Sequence, residues 1–337
     1  MKYFLIVRQQ NNQLGDLLCS IPMYKAIKQK FPESHITLIT APTNYEIPFK
    51  KINPFIDNIL IFEKKSLKEY LEFLKEVRNI KYDFGIVPST LNISRTSNII
   101  NFLSKAKTRV GVKRIDEEFN KLYYLLNIKG EFDWNKNKIH QVHRILDVVK
   151  LIGCEANGTD VEKIEINLES EDIKFADDFI KNSFPDVNRP MFGFHPGAGK
   201  VRNIWDVKNF LELIEKLHIK YKCNVLITSG YIDKKITDTL IRELKVRNIN
   251  AVSAENFEFK KLTALLKRLN LYVTNDTGVM HLAGFSGINT VSLFGPTNGF
   301  EWAPLLNNQH YIQSKTSNID DIKVEDVYNL INVRYEF

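Results

Sequence analysis

The sequence predicts an α/β protein with two successive domains, each built around a doubly wound parallel sheet. Short apolar segments without alternation, such as KYFLIV at residues 2–7, are typical of strands that are buried on both faces. Segments with helical spacing separate these strands, which favours parallel sheets with helices on both sides. The chain has 337 residues, enough for two cores, and the strand–helix pattern restarts after a stretch rich in Gly, Asn and Asp.

The first half of the chain supplies the predicted elements of one sheet. Strands are predicted at residues 2–7, 35–40, 57–62, 82–89 and 108–112. Apolar residues recur at helical spacing over residues 17–31 and 66–79, which predicts two helices. The charged segment from Asp116 to Leu151 is also predicted to be helical. The segment GCEANGTDVEK, residues 153–163, is the predicted linker.

The second half repeats the pattern. Strands are predicted within residues 190–197, 223–230, 270–276 and 288–297. Helices are predicted at residues 207–221, 233–244 and 259–269, directly after Gly278, and at residues 324–333. The similar size of the two halves supports two α/β domains.

Composition limits the possible classes of ligand but does not select one of them. The net charge of +7 and a sequence pI near 9.0 suit a polyanionic substrate, an anionic membrane surface or nucleic acid, or only a solvated basic surface. The three cysteines (Cys19, Cys154 and Cys223) form no CxxC pair and are predicted to be buried thiols in a reducing compartment. No signal peptide and no apolar run of about 18 residues is apparent, so a cytoplasmic location is expected.

Ligands of open α/β sheets bind beyond the carboxyl ends of the strands. After the first strand, Gly15 allows a tight turn and Asp16 falls in the first turn of a helix, as a catalytic carboxylate or as a helix cap. A second loop, FHPGAGKVRNIW, follows the strand at residues 190–195. Its glycines would let backbone N–H groups approach a phosphate, and its cations would neutralise the charge. The candidates there are His195, Gly197, Lys200 and Arg202; an ordinary basic connection is the alternative.

That second loop matches neither of the common phosphate-binding motifs. It is not GxxxxGK[ST], and neither half of the chain carries GxGxxG after its first strand. An NAD-dependent oxidoreductase is therefore disfavoured.

A third strand end carries the most specific pattern, VTNDTGVMHLAGF. Thr277 and Gly278 would present free N–H groups at a helix N-terminus, where the helix dipole favours an anion. His281 lies one turn further along the same helix. Asp276 would cap this helix or accept a hydrogen bond from a sugar hydroxyl. A buried core histidine is the alternative for His281 taken alone.

At this point the chain resembles glycosyltransferase family nine, the heptosyltransferase-like enzymes. The segment NDTGVMHLAGFSGINTVSLFGPTN is similar to that family's Asp-Ser/Thr-Gly, His-Leu and Phe/Tyr-Gly-Pro-Thr signature. The Leu-Gly-Asp turn with its Pro-containing helix and the His-Pro-Gly loop ending in Trp resemble the family's other motifs, in the same order. The resemblance spans both halves of the chain.

The resemblance implies a GT-B fold, two Rossmann-like domains facing a cleft in which the sugar is transferred with inversion. It implies an acceptor-binding domain over residues 1–165 and a nucleotide-sugar-binding domain over residues 166–337, with the last helix free to pack back on the first domain. Asp16 matches the family's general base, with Asn12, Gln13 and Gly15 in the loop on the acceptor side. The donor site would comprise His195, Gly197, Lys200, Arg202, Asp276, Thr277, Gly278 and His281.

The implied reaction is transfer of heptose from ADP-heptose to the inner core of lipopolysaccharide. The implied partners are the nucleotide-sugar, an anionic glycolipid acceptor and the cytoplasmic face of the inner membrane as a peripheral contact, with no nucleic acid. No cofactor and no metal are expected, because the sequence has no Asp-x-Asp triplet. Another nucleotide-sugar, a glycoprotein acceptor, and a nucleotide-sugar-binding protein without turnover stay open as alternatives.

The chain departs from the family pattern at three places. Asn203 stands where the family often has a Lys, so Lys200 or Arg202 would have to supply the charge. Tyr231 and Ile232 follow the strand at residues 223–230 in place of Pro-Glu, which leaves Asp233 as the nearest carboxylate. The loop RQQNNQLGD is about two residues longer than usual. These departures leave open which nucleotide-sugar is the donor and which molecule is the acceptor.

Overall fold

The structure, a computed structural model, describes residues 1–8, 14–42, 53–63, 66–156 and 166–337. The chain divides into two compact units, Met1–Val161 and Glu162–Phe337. Each unit is built around its own sheet, flanked by helices.

The first unit contains one mainly parallel sheet. Its strands are β1 Lys2–Arg8, β2 Ser34–Thr40, β3 Asn58–Ile61, β4 Phe84–Ile86, β5 Thr108–Ile115, β6 Glu118–Phe119 and β7 Ile128–Phe132, in the order β3-β2-β1-β4-β5-β6, with β7 also paired to β5. Its helices are α1 Leu14–Cys19, α2 Ile21–Lys30, α3 Leu67–Arg78, α4 Arg95–Leu103 and α5 Gln141–Lys150. The middle four residues of β1 are buried, as the apolar run predicts.

The helix predicted over residues 17–31 is two helices, α1 and α2, which are separated at Ser20. Pro22 lies in the first turn of α2. A proline has no N–H to donate and its ring blocks the preceding helical turn, so it is tolerated at a helix start and interrupts a longer helix. The helix predicted over residues 66–79 is confirmed as α3, which Ser66 caps by accepting a hydrogen bond from the N–H of Glu69.

The helical prediction for Asp116–Leu151 is wrong over most of its length. The segment forms β6, a 3₁₀ turn at Tyr123–Leu125 and β7, and only α5 is helical. Asn120 shows a physical reason, because its amide donates to the carbonyl of Val112 and its oxygen accepts from the N–H of Leu122. Such bonds from an Asn side chain compete with helical ones, and pairing with β5 then stabilises β7.

The second unit contains a fully parallel sheet in the order β10-β9-β8-β11-β12-β13. Its strands are β8 Met191–His195, β9 Asn224–Ser229, β10 Ala251–Glu255, β11 Leu271–Asn275, β12 Thr290–Phe294 and β13 Gln309–Gln313. Its helices are α6 Ser170–Ser183, α7 Val207–Tyr221, α8 Lys234–Val246, α9 Phe259–Leu266, α10 Gly278–Phe285, α11 Gly299–Trp302 and α12 Val324–Arg334. Five elements have no counterpart among the predicted ones: α4, α6, α11, β10 and β13.

The last helix, α12, belongs to the core of the second unit. Val327 and Ile331 are fully buried in the same apolar cluster as residues of β8, β9 and β11. The hydroxyl of Tyr335, just beyond the helix, donates to the carbonyls of Thr290 and Asn308. The three cysteines are free and buried, as predicted.

Candidate active site

The carboxyl ends of β8 and β11 meet at the switch point of the second sheet. These two strands are parallel neighbours, and the chain leaves β8 towards β9 on one side and β11 towards β12 on the other. Such a reversal of strand order opens a crevice that binds nucleotides in α/β proteins. The loop from His195 to Trp205 and the turn from Asn275 to Gly278 both begin here, and with Thr297 they are called the switch-point site below.

Asn275 ties the two segments of the switch-point site together. Its Nδ2 donates to the carbonyl of Pro196 at 2.9 Å and to that of Gly197 at 3.2 Å, and its Oδ1 accepts from the N–H of Trp205 at 3.3 Å. The side chain is fully buried, so these bonds are shielded from water. Asn275 was absent from the predicted site; its signal in the sequence is an amide at the end of an otherwise apolar strand.

His195 lies beneath the loop, only 3% exposed. Its Nδ1 is 2.9 Å from the carbonyl oxygen of Thr228 and 3.0 Å from the Thr228 hydroxyl, which in turn lies 2.6 Å from the hydroxyl of Tyr272. Its Nε2 is 3.8 Å from the carboxylate of Asp233. Burial lowers the pKa of His195, against the charge of Asp233, which raises it. The structure therefore places His195 in a buried polar network that supports the loop.

Asp233 is turned inward against the same loop. Its carboxylate accepts a hydrogen bond from the N–H of Gly230 at 3.1 Å, and a Cβ added to Gly197 would lie 2.1 Å from its Cγ. Gly197 is thus required by packing against Asp233. Gly199 differs, because nothing lies within 4 Å of the position its Cβ would take.

Asn203, at the position of the family's Lys, bonds to the turn after β11. Its Nδ2 donates to Asp276 at 3.0 Å and approaches the hydroxyl of Thr297 at 3.5 Å. Its Oδ1 is buried and accepts no hydrogen bond from the residues that the structure describes. Burial raises the pKa of Asp276, against a hydrogen bond from Thr297 and the charge of Lys200, which lower it. A neutral amide therefore supports Asp276 at the position where the family often has a Lys.

The two cations of the loop point to solvent. Both are exposed: Lys200 directly precedes the short 3₁₀ turn at Val201–Asn203, and Arg202 lies within it. Neither side chain forms an ion pair or hydrogen bond with another described residue. They are thus available to an anionic ligand at this edge.

The helix that follows β11 is capped by Thr277, whereas the sequence predicts Asp276 as the cap. The Thr277 hydroxyl accepts from the N–H of Met280 at 3.3 Å, and α10 begins at Gly278. His281 is 4% exposed, its ring centroid 6.0 Å from that of Trp302 and 6.4 Å from that of Phe285. Burial lowers the pKa of His281 to about 4. At neutral pH His281 is therefore uncharged.

In the first unit, Asp16 lies in α1, half-buried, and Gly15 beside it is buried. Burial raises the pKa of the Cys19 thiol; the charge of Asp16 also raises it, and the charge of Arg8 lowers it. Asp16 and Arg8, the last residue of β1, thus both lie within electrostatic range of Cys19. Asn12 and Gln13 lie outside the described residues.

Among the described residues, no group of three or more His, Cys, Asp or Glu side chains is placed to hold a metal ion. No helix in the described part of the chain is long and apolar enough to cross a membrane.

Comparison with known proteins shows similarity, in sequence and in fold, to heptosyltransferases. The chain is 23% identical to the lipopolysaccharide core heptosyltransferase OpsX of Haemophilus influenzae, over 87% of this chain and 80% of that protein. It is 24% identical to lipooligosaccharide heptosyltransferase 2 of Campylobacter jejuni, over 87% and 82%. Its fold matches that of the Escherichia coli ADP-heptose lipopolysaccharide heptosyltransferase II with a TM-score of 0.75 and 19% identity, over 99% of this chain and 98% of that one.

The fold is accordingly of the GT-B type, with two Rossmann-like domains, as the sequence predicts. The model of glycosyltransferase family 9 (heptosyltransferase) matches residues 70–331. That span includes the whole switch-point site, and we conclude that the chain belongs to glycosyltransferase family 9.

Proposed function

We propose that this protein is an inverting glycosyltransferase that transfers heptose from ADP-heptose to the inner core of a lipopolysaccharide or lipooligosaccharide acceptor. The observation that carries the proposal is the switch-point site, in which a capped helix N-terminus and two exposed cations lie at the nucleotide-binding edge of a Rossmann-like sheet. The relatives in Haemophilus and Campylobacter, named for heptosyl transfer, support the sugar and the acceptor.

In this reaction an acceptor hydroxyl attacks the anomeric carbon of heptose while ADP leaves from the opposite face. Asp16 takes the proton of the attacking hydroxyl. The N-terminus of α10, with Thr277 and Gly278, and the cations Lys200 and Arg202 stabilise the charge that develops on the departing diphosphate. His281 assists as a neutral side chain, and no metal or other cofactor is required.

The decisive test of the function combines transfer and binding. Asp16→Asn keeps the shape of the side chain and removes its basicity, so we expect kcat to fall by ~10²-fold or more while ADP affinity is unchanged. Transfer is measured with ADP-heptose and heptose-deficient acceptor, with and without EDTA. Normal turnover of Asp16→Asn would exclude it as the base, and loss of activity with EDTA would exclude the metal-free mechanism.

Binding of ADP by variants of the loop after β8 tests the donor site. We expect Lys200→Ala with Arg202→Ala to weaken ADP binding by about 1–3 kcal/mol, the value of lost charge-assisted hydrogen bonds. Lys208→Ala, an exposed cation on α7, is the matched control and should bind ADP normally. A panel of other nucleoside diphosphates and their sugars distinguishes ADP-heptose from a different donor, and ADP binding without any transfer would favour a binding protein over an enzyme.

We also propose that the first unit contacts the anionic inner membrane surface, where a glycolipid acceptor would be found. Supporting this, a shallow pocket of about 390 Å³ in that unit is lined by basic side chains and by an exposed aromatic ring. The basic residues are Arg78, Lys105, Lys107 and Arg109, and the ring is Phe102. Arg78 and Arg109 donate to backbone carbonyls there, and Lys107 pairs with Asp83. Lys105 and Phe102, both exposed, are therefore the side chains proposed to meet an anionic headgroup and its adjoining apolar surface.

A further inference from the structure

The turn after β9 lies at the position where a nucleotide-binding sheet meets the ribose. The second sheet has its first three strands in the order β10-β9-β8, followed by β11, β12 and β13, so β9 is the second strand in sequence. In sheets with this order, the phosphates lie beyond the first strand, and a carboxylate beyond the second strand holds the ribose hydroxyls. The corresponding segment here is Gly230–Asp233.

The single carboxylate of that segment is not available to a ribose. Asp233 is 5% exposed, it accepts the N–H of Gly230 at 3.1 Å, and it packs on Gly197. Its second neighbour is the Nε2 of His195, at 3.8 Å. Releasing Asp233 would break the contacts that support the loop after β8. The carboxylate therefore serves the loop, and the ribose position has no acidic group from this turn.

The turn after β9 instead presents an exposed aromatic side chain, that of Tyr231. Tyr231 is 82% exposed and Ile232 is 64% exposed, and both lie between the end of β9 and the start of α8. Val201, on the loop after the adjacent strand β8, is 86% exposed. Since β8 and β9 are parallel neighbours, both loops emerge at the same edge of the sheet as the switch-point site. Three exposed apolar side chains thus border the site where a nucleotide is proposed to bind.

We propose that Tyr231 binds the donor nucleotide by stacking on its base, and that this contact replaces recognition of the ribose hydroxyls by a carboxylate. The inference rests on the proposed function, since it assigns Tyr231 to the donor nucleotide. Stacking uses the face of the base and leaves the 2′-hydroxyl of the ribose unread. Tyr231 is then a specificity-determining residue: affinity depends on an aromatic ring at this position and hardly on the 2′-hydroxyl.

Calorimetric titration of the full-length protein with ADP and with 2′-deoxy-ADP tests this assignment. We expect Tyr231→Ala to weaken ADP binding by about tenfold, within the range of base–aromatic stacking, and Tyr231→Phe to bind ADP like the wild type. Tyr124→Ala, which removes a 66% exposed tyrosine from the first unit, is the matched control and should leave affinity unchanged. Wild-type affinities for ADP and 2′-deoxy-ADP should agree within about threefold.

Two results would overturn the inference alone: wild-type ADP affinity in Tyr231→Ala, or a wild-type preference for ADP over 2′-deoxy-ADP of more than about tenfold, which a ribose-reading carboxylate would produce. Failure of the wild type to bind any nucleoside diphosphate would instead overturn both this inference and the proposed donor site. Because Tyr231 is exposed, its variants are expected to melt like the wild type, which separates loss of binding from loss of folding.

Discussion

Gly197 has no room for a side chain, because the carboxylate of Asp233 occupies the space beside it. The pair is separated by 36 positions along the chain (233 − 197) and meets only because β8 and β9 are neighbours. A larger residue at position 197 would therefore push the loop that carries Lys200 away from Asp233. The same substitution at Gly199, which has open space around it, would not.

Gly197→Ala is expected to lower the free energy of unfolding by about 1–3 kcal/mol, since the new Cβ must displace a buried side chain. ADP affinity should fall with it, because the loop moves. Gly199→Ala, two residues along and with open space around its Cβ, is the internal control and should change stability by less than about 0.5 kcal/mol. Equal effects from both substitutions would argue for a general intolerance of the loop instead.

Because His281 is buried, the stability of the protein is expected to depend on pH. Its folded pKa is about 4, below the ordinary value of 6.5, because the ring is buried. Between pH 6.5 and 4 the unfolded chain binds a proton that the folded chain excludes, so stability falls as the pH falls through this window and is unaffected above it. The loss amounts to about 3 kcal/mol at most, and burial of His195 acts in the same direction.

Urea unfolding of His281→Gln over this pH range measures the effect. The variant should lose less stability on acidification than the wild type, with the remainder due to groups such as His195. His143→Gln, at an exposed position on α5, provides the comparison and should follow the wild-type curve. Identical slopes for His281→Gln and wild type would mean that His281 titrates normally in the folded state.

At the scale of elements, the switch-point site is made by the ends of two strands. Asn275 at the carboxyl end of β11 bonds the loop after β8, and Asn270, just before β11, accepts from the N–H of Met191 at 2.8 Å at the opposite end of the same pair. Both side chains thus bond the same two strands. Only the first lies where the proposed donor binds.

Asn275→Ala is expected to lower stability by about 1–3 kcal/mol and to weaken ADP binding, because it leaves buried backbone groups of the loop unpaired. Asn270→Ala should affect stability alone. Chemical denaturation and ADP titration of the two variants, side by side, distinguish positioning of the site from support of the strands. An Asn275→Ala protein that is destabilised yet binds ADP normally would remove Asn275 from the site.

At the scale of the whole molecule, the net charge of +7 and the basic pocket of the first unit predict binding to anionic vesicles. We expect cosedimentation with phosphatidylglycerol vesicles, little with phosphatidylcholine, and loss of binding at high salt as the charges are screened. Lys105→Glu should weaken it. Lys222→Glu is the control, since Lys222 is an exposed lysine of the second unit with the same left-handed backbone, φ 50° against 60°. Equal weakening by both would indicate a response to net charge rather than a specific surface.

Sequence alone determined the elements whose stability is local or whose burial is complete. The central residues of β1, β8 and β11 are apolar because both faces of these strands are covered, and their apolar runs predict the strands. The caps at Ser66 and Thr277 are local as well, since each joins residues three positions apart. The three motifs at the strand ends could also be recognised in the sequence, and their order indicated the family.

Only the tertiary structure decided which residues of those motifs are exposed and what the polar ones contact. Asp233 and His195 are buried partners, and Asn203 bonds Asp276 across 73 positions of sequence. The segment after Asp116 forms strands because β5 is available for pairing, against its helical pattern. Such outcomes depend on strand order and on contacts between distant residues, which local propensity does not encode.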